Sequence, residues 1–183
     1  MKLVAFGNKV LQFGSKVIEW DTAVPLSYQR FMLVVNGNAI PGVDSNIMQL
    51  GGISINDQVG FNFITATPNT YFAAATKPEN LVDDTLDTKW MLKANWTNST
   101  PSAIYIFSSN TPITPEFYKL GTGDDSIDRN GSKNPGPRAL YASTGTPTLS
   151  SDSSWKLLSY TDYALPVANT TWTSAMQCEQ YYN

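Results

Sequence analysis

The chain has 183 residues and a net charge of −3, and 42% of its residues are hydrophobic but only 15% are charged. That length allows one domain, or one domain with an arm, and the abundance of Thr, Ser, Asn, Gly and Pro favours short strands joined by turns over helices. No basic run is present, which argues against nucleic-acid binding, and the absence of histidine removes His-based triads and imidazole metal sites.

The first twenty residues contain a short repeat. Phe6-Gly7-Asn8-Lys9-Val10 returns seven residues later as Phe13-Gly14-Ser15-Lys16-Val17. Gly-Asn and Gly-Ser suit two-residue hairpin turns, so the repeat predicts a three-stranded β-meander over 2–20. A coiled coil also has a seven-residue period, but a glycine in each repeat argues against a helix. Because so small a sheet is marginal alone, we expect an attachment arm, 1–22, lying on its own domain, a sister copy or a larger assembly. The alternative is a plain extension of the main sheet.

Targeting signals are not expected in this chain. Polar and glycine residues interrupt the apolar residues that follow Lys2, so no signal peptide is predicted, and no stretch approaches the roughly 20 apolar residues of a membrane span. We therefore expect synthesis in a cytoplasm without membrane insertion. The one cysteine, Cys178, cannot form an internal disulfide, and without a His partner it is expected to be a small apolar side chain.

The main domain is predicted to cover 23–183 and to be all-β, and its first strand follows a linker at 21–27, which Pro25 interrupts. Alternating and short apolar runs predict its strands, and no long helix is expected. Trp90, Trp155 and Phe107 are expected in the core, and the tail from Trp172 is either a last strand or a partner contact. This spacing predicts a sandwich or jelly roll. The predicted strands are YQRFMLVV, IMQLGGISI broken at its two glycines, VGFNFITAT, SAIYIFSS, EFYKLGT, RALYAST and WKLLSYT.

These segments, taken in order, resemble a discoidin-type domain, also called a coagulation-factor type C domain. YQRFMLVV followed by NIMQLGGISI resembles the opening strands of that family, and PENLVDDTLDTKW resembles its Asn-x-x-Asp-Gly-x-x-x-Thr-x-Trp segment. SAIYIFSS, YKLGTGDDSIDRNGSKNPGPRALYAS and SSWKLL resemble later segments, so the match runs from Tyr28 to Leu158. The resemblance implies a galactose-binding-like jelly roll with the motif residues Asn80, Asp83, Thr88 and Trp90.

The chain departs from the family pattern at three places. Gly52 stands where the family has Glu, Asp84 stands where it has Gly after the first Asp, and Ala142-Ser143 replaces a Gly-Ser pair. The first departure removes a carboxylate that could bind a metal ion.

The acidic stretch DDTLDT is the candidate metal site. Its carboxylates and hydroxyl offer the oxygen ligands that Ca²⁺ prefers, and the resemblance implies a structural calcium ion in this loop. The alternative is an Asx turn, in which the first Asp hydrogen-bonds its own backbone. The candidate ligands are Asp83, Asp84, Asp87 and Thr88.

The loop GDDSIDRNGSKNPGPR is the candidate carbohydrate site, because the resembling family holds sugars in loops at one end of the sandwich. Sugar recognition needs charged or amide groups for the hydroxyls and an aromatic ring for the C–H face. The polar candidates are Asp124, Asp125, Arg129 and Asn134, and the aromatic candidates are Trp96 and Tyr71. The alternative is that Asp125 and Arg129 form an ordinary salt bridge and that Trp96 belongs to the core.

Catalysis is not expected. Glycoside hydrolysis uses two carboxylates, and adjacent pairs occur at 83–84 and 124–125, but neighbours on a strand point to opposite faces. The N-terminal repeat resembles the openings of structural proteins from phages that infect gut Bacteroidota. Together the resemblances imply a homo-oligomeric virion appendage or decoration protein, joined to other virion proteins through 1–22 and contacting host or mucosal glycans. The alternative is a purely architectural head or tail protein that uses the same sandwich without a ligand.

Overall fold

The structure is a computed structural model that describes residues 11–13, 16–18, 24–37, 47–69, 71, 73–93, 103–124, 126, 133–162 and 165–181. This part of the chain is all-β, with two short 3-10 helices, Ala74–Thr76 and Pro78–Leu81, and no α-helix. The strands are β1 (Leu11–Phe13), β2 (Lys16–Ile18), β3 (Tyr28–Val35), β4 (Ile47–Leu50), β5 (Gly52–Ile55), β6 (Asn62–Thr67), β7 (Trp90–Lys93), β8 (Ala103–Ile113), β9 (Phe117–Gly121), β10 (Arg138–Ser143), β11 (Lys156–Thr161) and β12 (Met176–Gln177).

The strands of the main domain form two antiparallel layers, consistent with a β-sandwich. One layer is a five-stranded sheet, here the larger sheet, with the order β11-β10-β3-β8-β6. The remaining strands form two smaller sheets, β12-β9-β5 and β4-β7, which we describe together as the second layer. Gly51 alone separates β4 from β5, and its N–H donates to the Gly121 carbonyl at 2.8 Å. A Cβ on Gly51 would lie 2.5 Å from the Thr122 carbonyl oxygen, so only glycine fits this crossing.

The core fills the space between the two layers. Alternation along β3 places Phe31 and Leu33 in the core, and β8 adds Tyr105 and Phe107. The Phe31 and Phe107 rings stack with centroids 5.5 Å apart, and the Trp90 ring lies 5.4 Å from that of Tyr105. Full burial of Trp90 and Phe107 confirms their predicted core positions.

The prediction for Trp155 is wrong. This residue is only half-buried, and its indole Nε1 donates to the Leu149 carbonyl at 2.9 Å in the loop between β10 and β11. Its polar N–H is thus used to shape a surface loop, and its ring is not part of the core.

The strand predictions for the main domain are confirmed, including the break at the paired glycines. At the N-terminus, Phe13 pairs with Lys16, which leaves Gly14-Ser15 as the predicted two-residue connection. The strand expected before β1 lies outside the described residues, as do residues 21–23 of the predicted linker 21–27. No helix in the described ranges is long and apolar enough to cross a membrane.

The C-terminal segment closes one edge of the larger sheet. A register shift opposite Leu140 and Tyr141 leaves Leu158 without a ladder partner on β10. The Leu158 carbonyl instead accepts from the Glu179 N–H at 2.7 Å, and the Tyr181 hydroxyl donates to the Leu157 carbonyl at 2.7 Å. The tail also supplies β12, which pairs with β9, so it is a last strand.

The Tyr105 hydroxyl gives a test of the core. It is buried and donates to the Pro78 carbonyl at 2.9 Å, and burial, with Glu79 and Asp83 nearby, raises its pKa so that it keeps its proton. Tyr105→Phe leaves that carbonyl without this donor, so we expect the free energy of unfolding, measured in urea, to fall by about 1–2 kcal/mol. The control Tyr160→Phe changes an exposed ring and should have little effect. A Tyr105→Phe variant as stable as the wild type would contradict this role.

Candidate functional site

Two facing glycines form a notch that seats the acidic turn. Gly52 on β5 and Gly121 on β9 are ladder partners. A Cβ on Gly52 would lie 3.0 Å from Leu86 Cδ2 and 3.0 Å from Trp172 Cη2, and one on Gly121 would lie 2.9 Å from the Gly52 nitrogen and overlap Leu86. We call Gly52 and Gly121 the glycine notch. Leu86 and Trp172 fill the space beside position 52, so the Glu that the resembling family has there would not fit.

The acidic turn, residues 83–88, is held by its own hydrogen bonds. Asp83 Oδ1 accepts from the Thr85 N–H at 3.4 Å, and Asp83 Oδ2 accepts from Thr88 Oγ1 at 2.5 Å. Thr85 Oγ1 in turn accepts from the Asp87 N–H at 3.1 Å. Asp84 has φ +73, in the left-handed region that favours glycine, which is the residue the resembling family has there. The structure therefore contains the Asx turn that was the alternative to a metal site.

The carboxylates of the turn do not form a ready-made calcium cage. Asp83, Asp84 and Asp87 are all exposed, and both oxygens of Asp83 are engaged within the turn. Within the described ranges, no three or more His, Cys, Asp or Glu side chains lie together closely enough to hold a metal ion. Calcium binding by Asp83, Asp84, Asp87 and Thr88 stays a prediction.

The remaining residues of the resembling motif hold the turn against the sandwich. Asn80 is buried, and its Nδ2 donates to the Ala75 carbonyl at 2.8 Å and to the Lys89 carbonyl at 3.0 Å. One amide thus ties the first 3-10 helix to the residue that precedes β7. Trp90 then packs in the core, so both ends of the acidic turn are fixed while its carboxylates stay at the surface.

Three loops meet at one end of the sandwich. The shielded Lys89 forms an ion pair with the exposed Asp124, which joins the acidic turn to the loop after β9. Thr122 Oγ1 accepts from the Thr171 N–H at 3.1 Å, and the Gly123 carbonyl accepts from the Thr170 N–H at 3.3 Å. We call the region formed by 82–89, 122–124, 126 and 168–172 the loop end.

The predicted carbohydrate-binding residues that the structure describes lie in different parts of the fold and differ in exposure. Asp124 is at the loop end, whereas Asn134 is only 1% exposed. Asn134 Oδ1 accepts from Ser126 Oγ at 2.9 Å and its Nδ2 donates to the Pro166 carbonyl at 3.2 Å, so its amide is used inside the protein. Tyr71 is exposed, between β6 and the first 3-10 helix. The other three candidates lie outside the described residues: Asp125, Arg129 and Trp96.

Buried polar side chains hold the loop after β9 in place at the loop end. Gln49 is fully buried, and its Nε2 donates to Ser126 Oγ at 3.5 Å. The side-chain amide of Gln49 occupies the space beside Gly123, where an added Cβ would lie 2.6 Å from Gln49 Cδ. Ser126 thus connects Gln49 to Asn134 and fixes the start of the loop after β9.

Trp172 is the aromatic residue at the loop end that sequence reasoning did not assign to a site. Its half-buried ring covers the glycine notch beside Leu86, and its backbone forms a bridge with Gly121. Residues 52 and 172 are far apart in sequence, so only the tertiary fold brings them together. The one local signal was the tryptophan itself, in a polar segment.

Two other features lie away from the loop end. Burial raises the pKa of the Cys178 thiol to about 12, so this cysteine is protonated at neutral pH and is not an activated nucleophile. An open cleft of about 370 Å³ lies in the loop between β10 and β11, and it contains none of the predicted site residues. Its lining residues are Thr146, Pro147, Thr148, Leu149, Ser151 and Asp152.

Comparison with known proteins gave no relative: no family model, no curated protein and no solved structure matches the chain.

The glycine notch gives the second test. A Cβ on Gly121 would overlap Leu86 and press on the Gly52 nitrogen. We expect Gly121→Ala to lower the free energy of unfolding by about 1–3 kcal/mol, measured by chemical denaturation. Gly145→Ala is the matched control, because the nearest atom, Ser143 Oγ, would lie at an ordinary 3.5 Å. Equal stability of the two variants would contradict the close packing described for the glycine notch.

Calcium binding gives the third test. An ion that binds only the native state stabilises it, by about 2.7 kcal/mol at roughly 100 times its Kd. If the acidic turn binds calcium, the melting temperature rises in Ca²⁺ relative to EDTA. Asp87→Asn should reduce that rise, because it removes a carboxylate that makes none of the Asp83 bonds of the turn. The same melting temperature with and without Ca²⁺ would argue against the site.

Proposed function

We propose that this chain is a non-enzymatic glycan-binding module with a discoidin-like jelly roll. The observation that carries the proposal is the half-buried ring of Trp172 next to the acidic turn at the loop end. Leu86 and Trp172 both lie against the position of Gly52, and Asp87 directly follows Leu86 in the chain. A sugar ring has an apolar C–H face that suits an indole, and its hydroxyls donate to carboxylates. Asp124 reaches this end through its ion pair with Lys89.

The arrangement of the carboxylates supports binding over cleavage. Glycoside hydrolysis needs two carboxyl groups free to act on opposite sides of one bond. At the loop end, Asp83 accepts two hydrogen bonds from the acidic turn, and Asp124 is paired with Lys89. Carboxylates that are exposed, and that these contacts hold in place, can accept hydrogen bonds from the hydroxyl groups of a ligand.

We further propose that the module is a virion appendage or decoration protein of a phage, present as a homo-oligomer. In this proposal residues 1–22 attach it to other virion proteins and the loop end contacts host or mucosal glycans. The support is the resemblance of the N-terminal repeat together with the hairpin register of β1 and β2.

A glycan array tests the proposed binding. We expect the wild type to bind a subset of glycans, and Asp87→Asn and Arg129→Ala to bind them at least about tenfold more weakly, a loss of about 1.4 kcal/mol. Asp162→Asn is the control, since it changes an exposed carboxylate that follows β11. Wild-type silence on every glycan would overturn the proposal and favour a purely architectural protein.

One observation favours that second candidate. The larger sheet carries apolar side chains on the surface opposite the core, which suits packing against another protein layer.

A further inference from the structure

The second layer has a surface turned away from the core, to which both β5 and β9 contribute. Ile53 on β5 and Tyr118 and Leu120 on β9 lie in the core. Alternate residues of a strand point to opposite faces, so the residues on either side of these core positions lie on the other face. We call this surface the β9 face; its residues on the two strands are Gly52, Ser54, Phe117, Lys119 and Gly121.

Trp172 lies at one end of the β9 face. A Cβ on Gly52 would project from this face and would lie 3.0 Å from Trp172 Cη2. The backbone of Trp172 forms a bridge with Gly121, the last residue of β9. The β9 face is therefore continuous with the loop end, and the indole ring belongs to both.

A cluster of polar and aromatic side chains lies at the opposite end of the same face. Lys119 Nζ is 2.5 Å from Asp57 Oδ1 and 5.4 Å from the centroid of the Phe117 ring. The Lys119 side chain is 26% exposed and that of Asp57 is 65% exposed, so solvent reaches both, and Phe117 is half-buried. The cluster thus combines an ammonium donor, a carboxylate acceptor and an aromatic ring, which are the groups that sugar recognition needs.

The backbone under this cluster is fixed by local hydrogen bonds. Asn56 and Asp57 form the two-residue turn after β5, with φ +49 and +61, a region that Asn and Asp tolerate better than most residues. Asn56 Oδ1 accepts from the Phe117 N–H at 3.2 Å, and Asn56 Nδ2 donates to the Thr114 carbonyl at 2.8 Å. One side chain therefore ties the turn that carries Asp57 to the start of β9. Groups that are held in place before binding lose little freedom when a ligand binds.

We propose that Asp57, Phe117 and Lys119 form a second sugar subsite, so that the β9 face binds a glycan chain along its length. Phe117 and Gly121 are four residues apart on β9, which separates the two ends of the face by about 14 Å. A single sugar ring is much shorter than this distance, whereas a short chain spans it.

Each end of the face has its own part in this arrangement. One sugar ring lies against Trp172 at the loop end. On another ring of the same chain, the Lys119 ammonium donates to one hydroxyl and the Asp57 carboxylate accepts from its neighbour. Two linked binding events give the chain a higher affinity than either sugar has alone. The inference rests on the proposed function and names its ligand class, which is a chain of several sugars.

Oligosaccharides of two lengths test the second subsite. The probes are N-acetyllactosamine, chitin and β-glucan oligosaccharides, together with any glycan that binds on the array, each as its shortest unit and as a longer chain of the same repeat. The measured quantity is the ratio of the Kd of the shortest unit to that of the longer chain, from titration calorimetry. In the wild type we expect a ratio of at least about ten for a glycan that binds.

Two variants of the second subsite should remove this advantage of the longer chain. In Lys119→Gln, which keeps most of the side-chain stem, and in Asp57→Asn, which suits the left-handed turn, the ratio should fall to about one. Lys156→Gln is the matched control, because Lys156 Nζ also lies close to an aromatic ring, 5.1 Å from the centroid of Tyr181, but at the edge of the larger sheet. This control should keep the wild-type ratio.

The possible results separate this inference from the proposed function. Equal affinity of the wild type for short and long probes would overturn the second subsite and leave glycan binding at the loop end intact. The same conclusion would follow if Lys119→Gln and Asp57→Asn both kept the wild-type ratio. Absence of binding to every probe and every array glycan would overturn the proposed function, and the second subsite with it.

Discussion

The close approach of β5 and β9 at the glycine notch is the constraint on which the loop end depends. Two residues without side chains face each other in the ladder, and Leu86 and Trp172 fill the space above them. Leu86 fixes the acidic turn from inside, which lets the carboxylates around it stay in solvent. The adjacent crossing at Gly51 joins β5 to β4, so one short glycine-rich segment connects the second layer and seats the candidate site.

Sequence patterns predicted the strands well because each depends on neighbours in the chain. Alternation along β3 and the glycine pair between β4 and β5 are local signals, and both are confirmed. The error at Trp155 has a local cause too: the apolar ring suggested burial, but its N–H bonds to a loop carbonyl. The finer jelly-roll topology and the two-part division of the chain stay predictions.

Less of the candidate site than of the fold could be predicted from the sequence, because long-range contacts determine which residues come together there. An amide in a polar loop looks the same whether it faces a ligand or, like Asn134, binds two partners inside the protein. Nothing near Lys89 in sequence predicts its pairing with Asp124. The sequence identifies Trp172 only as part of the C-terminal tail, because its neighbour in space, Gly52, lies far away in the chain. The Asx turn, by contrast, rests on contacts within six residues, so the sequence of that stretch predicts it as one of two alternatives.

The closure of the β11 edge by the C-terminal segment affects how copies of the larger sheet can associate. Glu179 and Tyr181 occupy the carbonyls that a foreign strand would need on that side. Within the described part of the chain, β6 is the other edge and has no strand beyond it. Continuous fibres require two open sheet edges per copy. A copy with a single open edge can pair only through that edge, with the same edge of a second copy. Strand-to-strand growth of this sheet would therefore end at a symmetric pair.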